Sequence, residues 1–209
     1  MFPEKIEWSD KRARERIIQA LQSEKLVIGD SDTVPGFLAP LSFEGKKLLD
    51  EAKVRKDKPY LILIGSQEKA ATFIYPEQLE RVSDLVSHFW PGPLTLIFKA
   101  RSDIPRYARS EGETVALRVP DHEGLLDVLQ HVTGLFSTSA NRAGRPVAKT
   151  VDAIDSALLK KAAYCVVDSS PKEGDAPSTI IDCSGERPRL IRHGAYPVSY
   201  IRAYLPGVE

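Results

Sequence analysis

Thr114 to Asn141, TVALRVPDHEGLLDVLQHVTGLFSTSAN, is the stretch that decides the fold. Thr114 to Val119 is an apolar run of strand length closed by Pro120, and Glu123 to Val132 reads as a helix. Leu135-Phe136 then leads a second strand into the polar loop Ser137-Thr138-Ser139-Ala140-Asn141. Strand, helix and strand in succession are the pattern of an α/β layer.

The alternation continues in both directions. Toward the N-terminus lie a helix Asp10 to Glu24 with Ser9 as its N-cap, a strand Lys25 to Gly29, a loop Asp30 to Gly36 and a helix Phe43 to Lys53. A strand Tyr60 to Ile64, a short helix Ser66 to Ile74, a longer helix Pro76 to Phe89 and a strand Leu94 to Lys99 follow. Toward the C-terminus come a helix Val151 to Ala162, a strand Tyr164 to Val167 and a Pro/Gly/Asp-rich loop Ser169 to Pro177. The strands Thr179 to Cys183 and Pro188 to Arg192 form a hairpin, and Pro197 starts a terminal helix through Tyr204. The expectation is one α/β domain over residues 1–209, with a mixed sheet, antiparallel edges and flanking helices.

Twenty-nine basic and twenty-nine acidic residues cancel, so a net basic field for nucleic acid is absent and a small-molecule enzyme is favoured. Cys165 and Cys183 sit in apolar runs and read as reduced core thiols, which with a polar N-terminus makes the cytoplasm the expected compartment. No apolar run reaches the ~18 residues of a membrane span. His88, His122, His131 and His193 lack ligand spacing, so no metal site is expected, and His88 reads as the polar tip of a helix. The common nucleotide and hydrolase fingerprints do not occur.

Polar groups concentrate instead in loops that follow strands, where α/β sheets place ligands. Ser137, Ser139 and Asn141 would supply donors for an anion, with charge from Arg142 and Arg145, or the cluster is simply what ordinary loops are made of. Lys53, Arg55 and Lys58 suit a triphosphate, but taken alone a basic run at a helix end is more often solvated and answers the helix dipole. Arg118 lies within an apolar alternation and must be paired, by Glu113, by Asp121 or by a substrate carboxylate. Arg192 repeats that logic on the last strand, and Ser178-Thr179 offers hydroxyls beside it.

Taken together, these loops resemble the YrdC/Sua5 family of threonylcarbamoyl-AMP synthases. The matching pieces are Asp32-Thr33-Val34-x-Gly36, Lys53-x-Arg55 with Lys58-Pro59, and Phe89 to Leu96 (FWPGPLTL). Thr114-Val115-x-x-Arg118-Val119-Pro120, Ser139-Ala140-Asn141-x-x-Gly144-Arg145-Pro146, Ser178 to Asp182 (STIID) and Arg192-x-Gly194 complete them, and the resemblance spans about residues 15–196. It implies a YrdC-like twisted, mixed parallel/antiparallel sheet with a large concave cavity. The implied reaction joins L-threonine, bicarbonate and ATP into threonylcarbamoyl-adenylate and pyrophosphate, with Mg2+ accompanying ATP, for t6A modification of tRNA. By the same resemblance, Lys53 and Arg55 would be catalytic. Arg55, Lys58, Thr114, Ser139, Asn141, Val147 and Arg192 would line the ATP site, and Thr33, Arg118, Ser137 and Ser178 would hold threonine. A downstream threonylcarbamoyl transferase complex would be a partner, with room for a double-stranded RNA or tRNA contact. Pro35, a basic loop Lys53 to Pro59 one residue short of the usual pattern, and Leu63 in place of a histidine depart from the family. They leave open carbamoyl or adenylyl transfer to a different acceptor, and a non-catalytic RNA-binding or ribosome-associated protein is the alternative of another class.

Overall fold

The computed structural model describes residues 2–54, 59–142, 144–168 and 176–208. Ten short segments pair into one sheet: β1 (Glu4–Glu7), β2 (Val27–Gly29), β3 (Gly36–Pro40), β4 (Leu61–Leu63), β5 (Leu94–Lys99), β6 (Thr114–Arg118), β7 (Leu135–Ser139), β8 (Tyr164–Val167), β9 (Thr179–Asp182) and β10 (Arg189–Arg192). Their spatial order is β1-β8-β2-β3-β7-β4-β6-β5-β9-β10. The pairings β1/β8, β8/β2, β4/β6 and β5/β9 are parallel, and the others are antiparallel. The mixed sheet and the closing hairpin β9–β10 are therefore as the sequence implies, whereas the opposite edge, β1 on β8, is parallel.

Period-two alternation divides the sheet into two faces. Phe37, Ile62, Leu96, Phe98, Leu117, Phe136 and Ile181 point to one, where they pack with α2 (Phe43–Lys53) and α4 (Ser83–Phe89). Leu38, Leu63, Leu135 and Val166 point to the other, under α1 (Lys11–Gln22) and α5 (Glu123–Gln130), which contribute Ile17, Leu21, Leu125 and Leu129. Those two helices cover only part of their face, and the remainder is open.

Several boundaries differ from expectation. Asp10, not Ser9, caps α1, its carboxylate accepting the Arg12 N–H, which satisfies one donor of the first turn. The single helix expected over Pro76 to Phe89 is two, α3 (Pro76–Glu80) and α4, because Val82 at φ −127° and ψ 23° leaves the helical region. The segment Ser66 to Ile74 holds a 3-10 turn (Glu68–Thr72). Val151 to Ala162 holds a 3-10 turn and α6 (Ser156–Leu159), with Ile154 extended and Asp155 capping α6 through the Ala157 N–H. The terminal helix is α7 (Val198–Ile201). β1 and β3 were not anticipated. β1 buries only Ile6 and so carries no alternation to detect, but Phe37-Leu38-Ala39 between Gly36 and Pro40 is a legible apolar run.

Both cysteines are free and buried, as expected for core thiols, and burial pushes Cys165 up to about 11 and Cys183 up to about 12. Among the described residues no helix is long and apolar enough to cross a membrane.

Candidate active site

The uncovered part of the α1/α5 face forms a cleft of about 590 Å³. Its floor is one set of alternate residues from adjacent strands: Gly36 and Leu38 of β3, Ser137 and Ser139 of β7, Leu61 and Leu63 of β4, Ala116 and Arg118 of β6, Thr95 and Ile97 of β5, and Ile180 of β9. Ladder register aligns them, with Gly36 opposite Ser139, Leu38 opposite Ser137 and Leu63 opposite Arg118.

Arg118 is 3% exposed. Its partner is neither Glu113, which pairs with Arg109, nor Asp121, but Asp32, whose Oδ1 lies 3.2 Å from the guanidinium. The sequence offers no hint of this pair, because Asp32 arrives from the β2–β3 loop across the sheet. Nη1 also donates to Thr33 Oγ1 at 3.1 Å. Asp32 Oδ1 and Arg118 Nε nonetheless lack well-aligned hydrogen bonds, so the pair is close without being saturated. Burial lowers the Arg118 pKa and the Asp32 charge opposes that shift. A ligand carboxylate would find a buried guanidinium with a spare donor.

Lys53, the last residue of α2, is buried with its ammonium on Ser139 O (2.6 Å), Asn141 Oδ1 (3.0 Å) and Asn141 O. Three donors thus meet three acceptors. Ser139 Oγ donates to Asn141 Oδ1 at 2.7 Å, and Asn141 Nδ2 donates to Arg145 O at 2.5 Å. The strand-end loop is therefore folded around the lysine, which shapes the anion site as well as charging it.

On the opposite wall, Arg192 donates Nε and Nη2 to Ser178 O at 3.0 and 2.8 Å, and Nη2 to Ser178 Oγ at 3.0 Å. Ser178 Oγ also shares a 2.8 Å hydrogen bond with buried Thr95. Arg192 and Ser178, assigned to different substrates from sequence, are thus one unit. Burial and the like charge of Arg118 lower the Arg192 pKa.

Thr33, Lys53, Arg118, Ser137, Ser139, Asn141, Val147, Ser178 and Arg192 all line this cleft. Thr114 lies on the same strand face but beyond the lining, bonded to Ser110 Oγ at 2.7 Å. Arg55 and Lys58 fall outside the described residues. Arg142 is exposed and paired with Asp155 at 2.7 Å, and exposed Arg145 serves through its carbonyl. Thr95, Thr138, Ser31 and Asp30 line the cleft without having been singled out. Thr95 carries the signal that marked Arg118, a polar residue inside an apolar alternation. Pro35 is buried and its carbonyl accepts the Ala140 N–H at 3.0 Å, so it ties the first loop to the residue that follows β7. Leu63 stands in the floor beside Arg118. His88 is more than a polar tip: its ring stacks on Tyr204 at 4.0 Å between centroids and bonds Tyr200 Oη at 3.2 Å.

A larger hollow of about 770 Å³ runs between Ala140–Lys149 and Ala153–Asp155 and shares Asn141 and Val147 with the cleft. The buried polar groups gather in the smaller one, which we take as the reacting site. No group of three or more His, Cys, Asp or Glu among the described residues could hold a metal ion.

The chain is similar to known proteins over most of its length. The Sua5_yciO_yrdC family model, described as telomere recombination, matches residues 19–194. A protein of Methanocaldococcus jannaschii, provisionally named threonylcarbamoyl-AMP synthase, is 30% identical over 207 residues covering 93% of both chains. Threonylcarbamoyl-AMP synthase of Pyrococcus abyssi is 32% identical over 186 residues, 87% of this chain and 54% of its own. The crystal structure of P. abyssi Sua5 complexed with L-threonine superposes with a TM-score of 0.85 at 27% identity, over 100% of this chain and 62% of that one.

Proposed function

The chain belongs to the Sua5_yciO_yrdC family, and on that premise we propose that it is a threonylcarbamoyl-AMP synthase, which converts L-threonine, bicarbonate and MgATP into threonylcarbamoyl-adenylate and pyrophosphate. The names of its relatives favour this over a non-catalytic RNA-binding role. The observation that carries the reading is that Arg118 with Thr33, Arg192 with Ser178, and Lys53 with Ser139 and Asn141 converge on a single cleft. A carboxylate seat and a phosphate seat on one strand face are what joining an amino acid to a nucleotide requires.

The chemistry follows from charge and placement. Threonine's carboxylate takes the spare donor of Arg118, with the Thr33, Ser137 and Ser178 hydroxyls around it. The triphosphate lies against the Ser139–Asn141 loop, near Val147, with Arg192 as a counter-charge. Bicarbonate and the threonine amine form a carbamate with loss of water, the carbamate oxygen attacks the α-phosphorus, and pyrophosphate leaves. No side-chain nucleophile is needed. Lys53 and the arginines hold the reactants and offset developing negative charge, which is the main source of rate in phosphoryl chemistry of this kind. The adenylate then serves a cytoplasmic transferase acting on tRNA.

Purified protein incubated with ATP, magnesium, bicarbonate and each amino acid in turn, with pyrophosphate followed, tests the proposal. Release that requires both threonine and bicarbonate is the expected result, and release with no amino acid at all, or none from a folded protein, would sink it.

A further inference from the structure

Four charged side chains line the cleft among the described residues, and three of them, Lys53, Arg118 and Arg192, are cations. The fourth is Asp30, the one carboxylate there. Its position is fixed from several sides. The Asp30 N–H donates to Val166 O at 3.0 Å and its carbonyl accepts Trp8 Nε1 at 3.1 Å. Oδ2 accepts the Asp168 N–H at 3.2 Å. Asp168 in turn accepts His122 Nε2 at 3.0 Å, and His122 Nδ1 accepts the Leu125 N–H, which sets the tautomer with the proton on Nε2. No described residue donates to Asp30 Oδ1.

A zwitterionic amino acid needs one anion as well as a cation. Along the loop, Ser31 Oγ bonds Thr33 Oγ1 at 3.0 Å and Thr33 Oγ1 accepts from Arg118 at 3.1 Å. One short segment thus carries a carboxylate at one end and the guanidinium contact at the other. Resting on the synthase reading, we infer that Asp30 receives the α-ammonium of the amino-acid substrate at Oδ1 and takes the proton that must leave before the amine can attack.

The steps balance. R–NH3+ gives its proton to the Asp30 carboxylate, leaving R–NH2 and a neutral carboxyl. The nitrogen lone pair adds to the carbon of bicarbonate, and water departs to give R–NH–COO−. Asp30 returns its proton to solvent. Burial supports the role, since it raises the Asp30 carboxyl above its usual range. The Asp168 N–H and the His122 ring oppose that shift, and the charges of Asp168 and Asp152 add to it. A stronger base is nearer to the proton affinity the step needs.

Asp30→Asn keeps an oxygen for the Asp168 N–H and removes the charge. Calorimetry of that variant should show threonine affinity lowered about ten- to hundredfold, with the affinity for 3-hydroxybutyrate, which lacks the amine, unchanged. Forward pyrophosphate release should fall by about a hundredfold or more. ATP formation by the wild-type protein from supplied threonylcarbamoyl-adenylate and pyrophosphate, a step without proton transfer at nitrogen, is followed alongside as the check on the synthase reading. Threonine affinity equal to wild type, or equal losses for both ligands, overturns the inference while leaving the synthase reading intact. Wild-type protein inactive in both directions overturns the synthase reading and this inference with it.

Discussion

Arg118 is held at the cleft floor by a carboxylate of the opposite sign, and that company has a cost when the arginine is removed. Arg118→Ala leaves Asp32, whose side chain is 6% exposed, without its counter-charge. Stability in urea should fall by about 3–5 kcal/mol, alongside the loss of threonine affinity. A variant that lost affinity yet melted like wild type would show that Asp32 had another partner. The requirement for a partner was legible from the apolar alternation around Arg118. Its identity was not, because a strand cannot announce which distant loop will lie over it. Arg192 is a second case. Sequence reasoning gives it to ATP alone, but its bonds to Ser178 O and Oγ make it a support for the threonine side too. Arg192→Ala should therefore raise the KM for both substrates in steady-state assays, whereas Ser139→Ala should raise that for ATP alone. An unchanged threonine KM in Arg192→Ala would separate the two residues again.

At the scale of elements, the hairpin β9–β10 is pressed against its own lead-in. A Cβ at Gly194 would stand 2.3 Å from Pro177 O and 2.4 Å from Ser178 C and Thr179 N. Those backbone atoms have nowhere to go without moving Ser178. Gly194→Ala should cost about 1–3 kcal/mol in thermal or urea unfolding and weaken ligand binding as well; a fully stable variant with normal affinity would mean the hairpin can slide. Elements with strong periodicity, such as α1, α2, α5, β5 and β6, were readable within a residue or two, whereas β7 runs on through Ser137, Thr138 and Ser139, which read as loop because they are polar. Those that were misread depend on tertiary context. Val82 breaks a good helical pattern, and β1 is a strand only because β8 pairs with it.

For the whole molecule, α/β alternation and a mixed sheet were evident, but the order of ten strands was not, since the pairing is set by contacts remote in sequence. The molecule also carries an alkaline liability. Cys165 and Cys183 are neutral when folded, with pKa values of about 11 and about 12 against an ordinary value of 9.0. A raised folded pKa gives stability that is complete below about pH 9 and is lost as pH rises toward the folded values. Urea midpoints should thus fall between about pH 8.5 and about pH 10.5, and fall less in a Cys165→Ala/Cys183→Ala variant. An equal fall in both would assign the effect to other groups.

The cleft floor is a single parity of residues drawn from neighbouring strands. Reading frame within each strand, rather than identity at any one position, therefore separates substrate surface from core. Insertion of one residue into β6 or β7 would turn Arg118 or Ser137 and Ser139 inward and bring Leu117 or Phe136 out to the reactants. Descendants of such a sequence can drift far by substitution and still keep the site, but the lengths of these strands leave them almost no freedom to change.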